Sequence, residues 1–274
     1  MNMYSLITGA SAGIGRALAY ECARRKMNLI LVALPDTGLG ELSIQLRTKY
    51  GIITEYFEID LRKSDAPQKL YNWCETKGFR VNMLINNAGI GHSGRLEKHT
   101  LESIADMIDL NIRSLVLLTR LFIPELKKHD HSYILNMASL GGYKPVPYKS
   151  VYSATKTYVY NFTRAIHIEL KNTSVKVSVC APGAVATNPK VIERIRAGGF
   201  FARISWLSPQ QVASYSIPRL LKGRVVIVPG LLNKVLLVLN SFIPIRLQLK
   251  LLDVLFRNEG IPRNKNRKKP KLKT

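Results

Sequence analysis

The sequence predicts an α/β fold: a doubly wound parallel sheet of about seven strands, in one domain over residues 1–230. Three observations carry this reading. Short apolar runs alternate with longer helical patterns along the whole stretch. The runs are mostly rich in Val, Ile and Leu, as in strands buried on both faces. The first run ends in a glycine-rich turn that leads at once into small-residue helical sequence.

The first strand is Tyr4–Ile7. Thr8-Gly9-Ala10-Ser11-Ala12-Gly13-Ile14-Gly15 follows, and Arg16–Lys26 continues as helix. Gly9 lets the chain leave the strand, Gly13 lets a phosphate approach the backbone, and Gly15 lets the helix pack close to the sheet. The unpaired amides of the first helical turn then face an anion. A plain strand-to-helix turn with no ligand uses the same residues, so the turn alone does not establish one. The later strands are Asn28–Ala33, Thr54–Ile59, Met83–Asn86, Tyr133–Met137, Lys176–Cys180 and Arg224–Val228. Between them run the helical patterns Glu41–Tyr50, Asp65–Thr76, Leu101–Lys127, Val151–Lys171 and Pro209–Leu221. No repeat or linker divides residues 1–230.

Two segments stand outside the alternation. Asn188–Leu207 carries Phe200, Phe201, Ile204, Trp206 and Leu207 around Gly198-Gly199. Residues 231–256 form an apolar, helical extension interrupted by Lys234, Asn240, Pro244, Arg246 and Lys250, too broken for a membrane span. Residues 257–274 form a basic tail, expected to be disordered, with eight Lys and Arg against Glu259.

The formal net charge of +23 favours anionic partners: phosphorylated cofactors, acidic lipid surfaces or nucleic acid. Nucleic acid is disfavoured, since no zinc-finger ligands, RNA-recognition signature or heptad repeat accompanies the charge. Cys22, Cys74 and Cys180 are far apart and lack metal-ligand spacing, so no metal is expected. With the first strand starting close to Met1, leaving no secretory signal, a reduced, cytoplasmic setting is expected.

Candidate catalytic residues cluster where such a sheet places function, at strand C-termini and on adjacent helices. Ser139 follows the fifth strand. Tyr152 and Lys156, four apart at the start of the next helix, share a face. Asn111 falls inside Leu101–Lys127. Each has a plain alternative: Ser139 as the cap of a turn before Gly141-Gly142, Asn111 and Lys156 as solvated helix residues.

In order and spacing, these pieces resemble the short-chain dehydrogenase/reductase family, a Rossmann-fold family. The matching residues are TGASAGIG (Thr8–Gly15), Asp60, NNAG (Asn86–Gly89), Asn111, Ser139, YSATK (Tyr152–Lys156), Pro182-Gly183 and Thr187. The run from Tyr152 to Thr187 is most similar to the branch of long-chain 3-ketoacyl and ketosteroid reductases. The resemblance implies hydride transfer between a nicotinamide dinucleotide and a carbonyl or secondary alcohol. It implies Tyr152 as general acid or base, Ser139 as orienter of the substrate oxygen, and Asn111 as holder of a water linked to Lys156. Lys156 is implied to hold the nicotinamide ribose, and its charge is expected to lower the Tyr152 pKa. Cofactor contacts are implied for Gly9, Ser11, Gly13, Ile14, Gly15, Asp60, Asn87, Ala88, Gly89, Tyr152, Lys156, Pro182, Gly183 and Thr187. A non-catalytic dinucleotide-binding regulator is the competing reading, and the intact Ser139, Tyr152 and Lys156 argue against it.

NADP(H) is favoured over NAD(H). The second strand ends Val32-Ala33-Leu34-Pro35-Asp36, with no acid at the place of Ala33 to repel a 2′-phosphate. The arginine many NADP-preferring members carry is also missing, since Leu34 stands there and Ala12 is not basic; use of both cofactors is the competing outcome. The apolar residues of Asn188–Leu207 suggest a cover over a lipophilic substrate, with Tyr148 at the mouth; ordinary core packing is the alternative. The resemblance also implies a homo-oligomer, built partly from the Leu101–Lys127 and Val151–Lys171 helices. The extension is expected to pack on the domain or on a second copy, and contact with an acidic membrane at its inner surface is the alternative.

Overall fold

The structure is a computed structural model and describes residues 2–187 and 206–257. Its strands are β1 (Met3–Thr8), β2 (Asn28–Ala33), β3 (Thr54–Glu58), β4 (Arg80–Asn86), β5 (Ser132–Met137), β6 (Val175–Cys180) and β7 (Val226–Ile227). They form one sheet in the order β3-β2-β1-β4-β5-β6-β7, and every pairing is parallel. The strand order reverses between β1 and β4, which opens a crevice beyond their C-terminal ends.

The helices are α1 (Gly13–Arg24), α2 (Leu39–Tyr50), α3 (Ala66–Thr76), α4 (Leu101–Ile108), α5 (Leu115–Leu126), α6 (Ser150–Glu169), α7 (Pro209–Leu221), α8 (Leu231–Ser241) and α9 (Ile245–Phe256). Alternate strand residues point to opposite faces, and each face has its own core. Leu6, Ile30, Leu84 and Ile134 pack with Leu70 of α3, Phe122 of α5 and Ile166 of α6. Ile7, Leu31, Ile85 and Leu135 pack with Leu18 of α1, Leu42 of α2 and Ile217 of α7. Each fully buried Leu or Ile contributes about 2 kcal/mol, so the sequence's apolar strands are what hold the crevice rigid.

Three expected elements differ. Leu101–Lys127 is not one α-helix: a π-helical turn, Asp109–Ser114, separates α4 from α5. The strand expected over Arg224–Val228 shrinks to Val226–Ile227, because it pairs only with the end of β6. β3 is an edge strand and leaves Tyr56 and Glu58 exposed, so it is not buried on both faces. The apolar extension is two helices broken at Phe242-Ile243-Pro244, with Pro244 as the N-cap of α9. Among the described residues no helix is long and apolar enough to cross a membrane. The three cysteines are buried and free, and no group of His, Cys, Asp and Glu among the described residues is arranged to hold a metal.

Candidate active site

The turn after β1 can be built only from glycine at two places. Gly9 has φ 66°, and a Cβ there would lie 2.9 Å from the Ala88 Cα. At Gly15 a Cβ would lie 2.0 Å from the Gly9 carbonyl oxygen. The turn therefore folds tightly under the start of α1. Ala12, the N-cap of α1, offers no side-chain acceptor, and the first helical turn carries no acid. Its amides stay open to an anion, with the helix dipole behind them. A cleft of about 450 Å³ beside them is lined by Gly13, Arg16, Tyr20 and Thr187, among others. An uncapped helix end, a glycine cradle and a nearby cation fit the pyrophosphate of a dinucleotide. Ser11 and Ile14 are half-buried in the same turn, and Ile14 packs on the core.

The residues after β4 brace this turn from below. The Thr8 hydroxyl accepts from the amides of Asn87 and Ala88, each at 3.0 Å. The Asn87 side chain donates to the carbonyls of Thr8 at 2.9 Å and Gly9 at 3.2 Å. The Asn87 amide nitrogen is thus spent on holding the turn, while Ala88 and Gly89 follow it into the crevice. Asp60 accepts from the Arg62 guanidinium on both oxygens and from the Arg62 amide. Arg62 also pairs with Asp106. Arg62 holds the Asp60 carboxyl below its ordinary pKa. Pro182 accepts from the Leu140 amide at 2.9 Å, which places the β6 end beside Ser139. Gly183 lies against Asn233 of α8. Thr187 stands over the glycine turn, 3.3 Å from where a Gly13 Cβ would be.

Tyr152, Ser139 and Lys156 converge. Ser139 accepts from the Gly141 amide at 3.1 Å, capping a 3-10 turn, and lies beside Tyr152: a Cβ at Gly141 would sit 3.6 Å from the Ser139 Oγ and 4.0 Å from the Tyr152 Cε1. Its hydroxyl therefore caps the turn while standing next to the phenol ring. Lys156 is buried; its ammonium donates to the Met137 carbonyl at 2.9 Å and lies 5.9 Å from the Tyr152 ring centre. Burial lowers the Lys156 pKa to about 8. Burial also raises the Tyr152 pKa, and the Ser139 hydroxyl beside it offsets only part of the rise. This corrects the expectation that Lys156 lowers the phenol: desolvation of the phenolate outweighs any help from an ammonium that is itself desolvated.

Asn111 sits in the π-helical turn, fully buried. Its side chain accepts from the Ile90 amide at 2.9 Å, donates to the Ile90 carbonyl at 2.9 Å and donates to the Thr155 hydroxyl at 3.0 Å. Both N–H groups are committed, so its side chain pins Ile90 and leaves one Oδ1 lone pair for other partners. π-helical turns of this kind occur often at functional sites.

Sequence reading gave no role of its own to Thr155, Gly91, Asn86 or Asn136. Thr155 bridges Asn111 to the Tyr152 carbonyl. Gly91 runs against the Tyr152 ring, where a Cβ would meet Cδ2 at 2.7 Å. Asn86 and Asn136 link Thr119 to Thr163 in a buried polar chain beneath the site. A polar residue inside each of two otherwise apolar strands was the available signal. Tyr148 donates to Asp253 of α9 at 2.8 Å, a contact spanning 105 residues that no local pattern announces. Of the expected substrate cover, Phe200, Phe201 and Ile204 lie outside the described residues. Trp206 is exposed, whereas Leu207 packs on the body and bridges to Val185.

The geometry provides a proton donor, a second hydroxyl beside it and a buried cation, all next to an anion-receptive helix end. Residues 4–194 match the family model for short chain dehydrogenase. The chain is 30% identical to the mouse (Mus musculus) very-long-chain 3-oxoacyl-CoA reductase over 195 residues, which is 70% of this chain and 62% of that protein. The chain thus spans about three-fifths of the length of such curated relatives. A Sphingobium yanoikuyae short-chain dehydrogenase solved with NADPH superposes with TM-score 0.74 at 28% identity, covering 88% of this chain and 96% of that one. A solved 7beta-hydroxysteroid dehydrogenase superposes with TM-score 0.82 at 21% identity, covering 91% and 96%, a likeness of fold alone. The chain belongs to the short-chain dehydrogenase family of NAD(P)-dependent oxidoreductases.

Proposed function

We propose that this chain reduces a lipophilic ketone with NADPH, using Tyr152 as the proton donor. The observation that carries the reading is the convergence of Ser139 and the Lys156 ammonium on the Tyr152 ring, in the crevice that opens next to the glycine turn. When bound, the reduced nicotinamide supplies a hydride to the carbonyl carbon. Tyr152 gives its hydroxyl proton to the carbonyl oxygen, so ketone, hydride and proton together make the secondary alcohol. Ser139 donates to the same oxygen and orients it. Lys156 stabilises the phenolate that remains until solvent returns a proton. Asn111 holds the Ile90 backbone, and with it Gly89 and Gly91, against Lys156 and Tyr152.

For NADPH, the support is the missing acid at Ala33 and Leu34 and the NADPH bound by the Sphingobium relative. For a lipophilic substrate, the support is the name of the mouse relative, a very-long-chain 3-oxoacyl-CoA reductase. A homo-oligomer formed through α4, α5 and α6 belongs to the same reading; Leu101, Leu117 and Ile168 are exposed on those helices.

The test is an NADPH-oxidation screen against ketones and 3-oxoacyl thioesters, with Tyr152→Phe as control. Turnover of lipophilic ketones that the variant loses is expected. Turnover confined to small polar aldehydes or sugars overturns the substrate class, and a strong NADH preference in kcat/KM overturns the cofactor.

A further inference from the structure

The two C-terminal helices turn their apolar stripes outward. On α8 the exposed apolar residues are Leu231, Val235, Val238 and Leu239, followed by Phe242 just beyond the helix. Their spacing is i, i+4, i+7, i+8 and i+11, which is one helical face. On α9 they are Ile245 at its start and then Leu247, Leu251, Val254 and Leu255, the last four again at i, i+4, i+7 and i+8. Leu231 is 79%, Phe242 81%, Val254 69% and Leu255 67% exposed. A helix of a globular domain buries such a stripe, whereas the residue α9 buries is Gln248. An outward apolar stripe on two successive helices marks an interaction surface.

The charges beside the stripes select the partner. Lys234 precedes Val235, Arg246 precedes Leu247 and Lys250 precedes Leu251, so the bases border each apolar face. All three are exposed. Asp253, the acid of α9, is held by Arg257 and Tyr148. The sequence beyond Arg257 adds seven more Lys and Arg against Glu259. A narrow apolar face edged by cations is the pattern of a helix lying in the interface of an acidic bilayer.

We propose that α8 and α9 form a docking surface for an acidic phospholipid bilayer. The Tyr148–Asp253 hydrogen bond ties this surface to the loop before Tyr152, four residues from the phenol. Docking thus brings the substrate crevice close to the lipid phase. The proposal stands independently of the reaction assigned above, because its readout is binding.

The experiment is sedimentation of the full chain with sucrose-loaded vesicles of phosphatidylcholine, alone or with phosphatidylglycerol. Binding is expected to the acidic vesicles and to be weak on the neutral ones. Leu251→Ser with Val254→Ser is expected to weaken it at least about 10-fold, and Arg246→Gln with Lys250→Gln about 5-fold per charge. These side chains are exposed, so the variants are expected to keep the thermal midpoint of the parent. Absence of binding to acidic vesicles overturns the proposal. Binding that ignores the Leu251 and Val254 changes also overturns it, by assigning the affinity to charge alone. A dimer in analytical ultracentrifugation that those two changes dissolve would assign the surface to a second copy instead, and would overturn it as well.

Discussion

Lys156 directs its ammonium to the Met137 carbonyl at 2.9 Å and passes 5.9 Å from the centre of the Tyr152 ring. Burial lowers Lys156 to about 8 and raises Tyr152 above its ordinary value. The phenol is then protonated throughout the neutral range, as a donor to a carbonyl must be, while Lys156 loses its charge above about pH 8. For reduction, kcat/KM is expected to be flat near neutrality and to fall above about pH 8. Alcohol oxidation needs the phenolate and is expected to be favoured by alkali. Tyr152→Phe is expected to cost about 10²–10⁴-fold in kcat with little change in dinucleotide affinity. A reduction profile that climbs through pH 9 would contradict this account.

The same burial makes Lys156 a cost to the fold. Holding its pKa at about 8 instead of 10.5 corresponds to about 3 kcal/mol at neutral pH. Because the folded value is the lower one, this penalty is fully present below about pH 8. It shrinks as pH rises toward the unfolded value. Lys156→Met removes the charge but leaves the Met137 carbonyl without its donor, a loss of about 1 kcal/mol or more. The variant is expected to be inactive yet more stable by about 1–2 kcal/mol at pH 7, with the gain fading by pH 10. Denaturant titrations of both proteins at the two pH values check the sign.

Asn111 stabilises the crevice through backbone groups. Asn111→Leu keeps the volume but leaves the Ile90 N–H and C=O without partners, at about 1–3 kcal/mol each. A loss of about 2–4 kcal/mol in stability is expected, together with lower kcat. Thr155→Val removes one acceptor from the same amide and is expected to cost about half as much. Urea unfolding with single-turnover rates on a common ketone separates the two effects.

How much of this was legible before the fold was seen differs by residue. The glycine turn, the strand alternation and the Ser139, Tyr152 and Lys156 positions were readable because each is local: a spacing of four on one helix, or a strand followed by a turn. The π-helical turn was not, because the apolar periodicity of Leu101–Lys127 runs through it, and the bonds from Asn111 to Ile90 that accompany it are tertiary. The pKa direction of Tyr152 was misjudged for the same reason: sequence gives the neighbour at i+4 but not the desolvation around both groups. The outward stripes on α8 and α9 carry an ordinary amphipathic pattern, and only burial shows which face the body keeps.

The Tyr148–Asp253 hydrogen bond is a polar link between α9 and the loop before Tyr152. Tyr148 holds φ at 62°, an unusual value for a non-glycine residue, so the loop conformation around it is under constraint. Tyr148→Phe and Asp253→Asn should each lower stability only slightly, as solvent-screened pairs do. If they share one bond, the double variant costs no more than the larger single one. Amide exchange in residues 245–256 should quicken in all three variants, while exchange in β1 and β4 stays unchanged. Additive losses would show that the two residues act separately.

Gly15 gives the sharpest steric case. Alanine there would put a methyl carbon 2.0 Å from the Gly9 carbonyl oxygen and 2.5 Å from the Asn87 side-chain nitrogen. Neither can yield cheaply: the first is backbone, and the second is held by the carbonyls of Thr8 and Gly9. The start of α1 must therefore move off β1, which opens the anion-receptive turn. A stability loss of about 2–4 kcal/mol is expected from overpacking of this kind. NADPH affinity is expected to fall by at least about 10-fold as the amides lose their aim. Gly51→Ala is the matched control. That glycine also has positive φ, at 61°, but has open space around it, so only the backbone strain of about 1 kcal/mol should appear, with NADPH binding intact. Equal losses of NADPH affinity in the two variants would remove close packing under α1 as the reason for glycine at position 15.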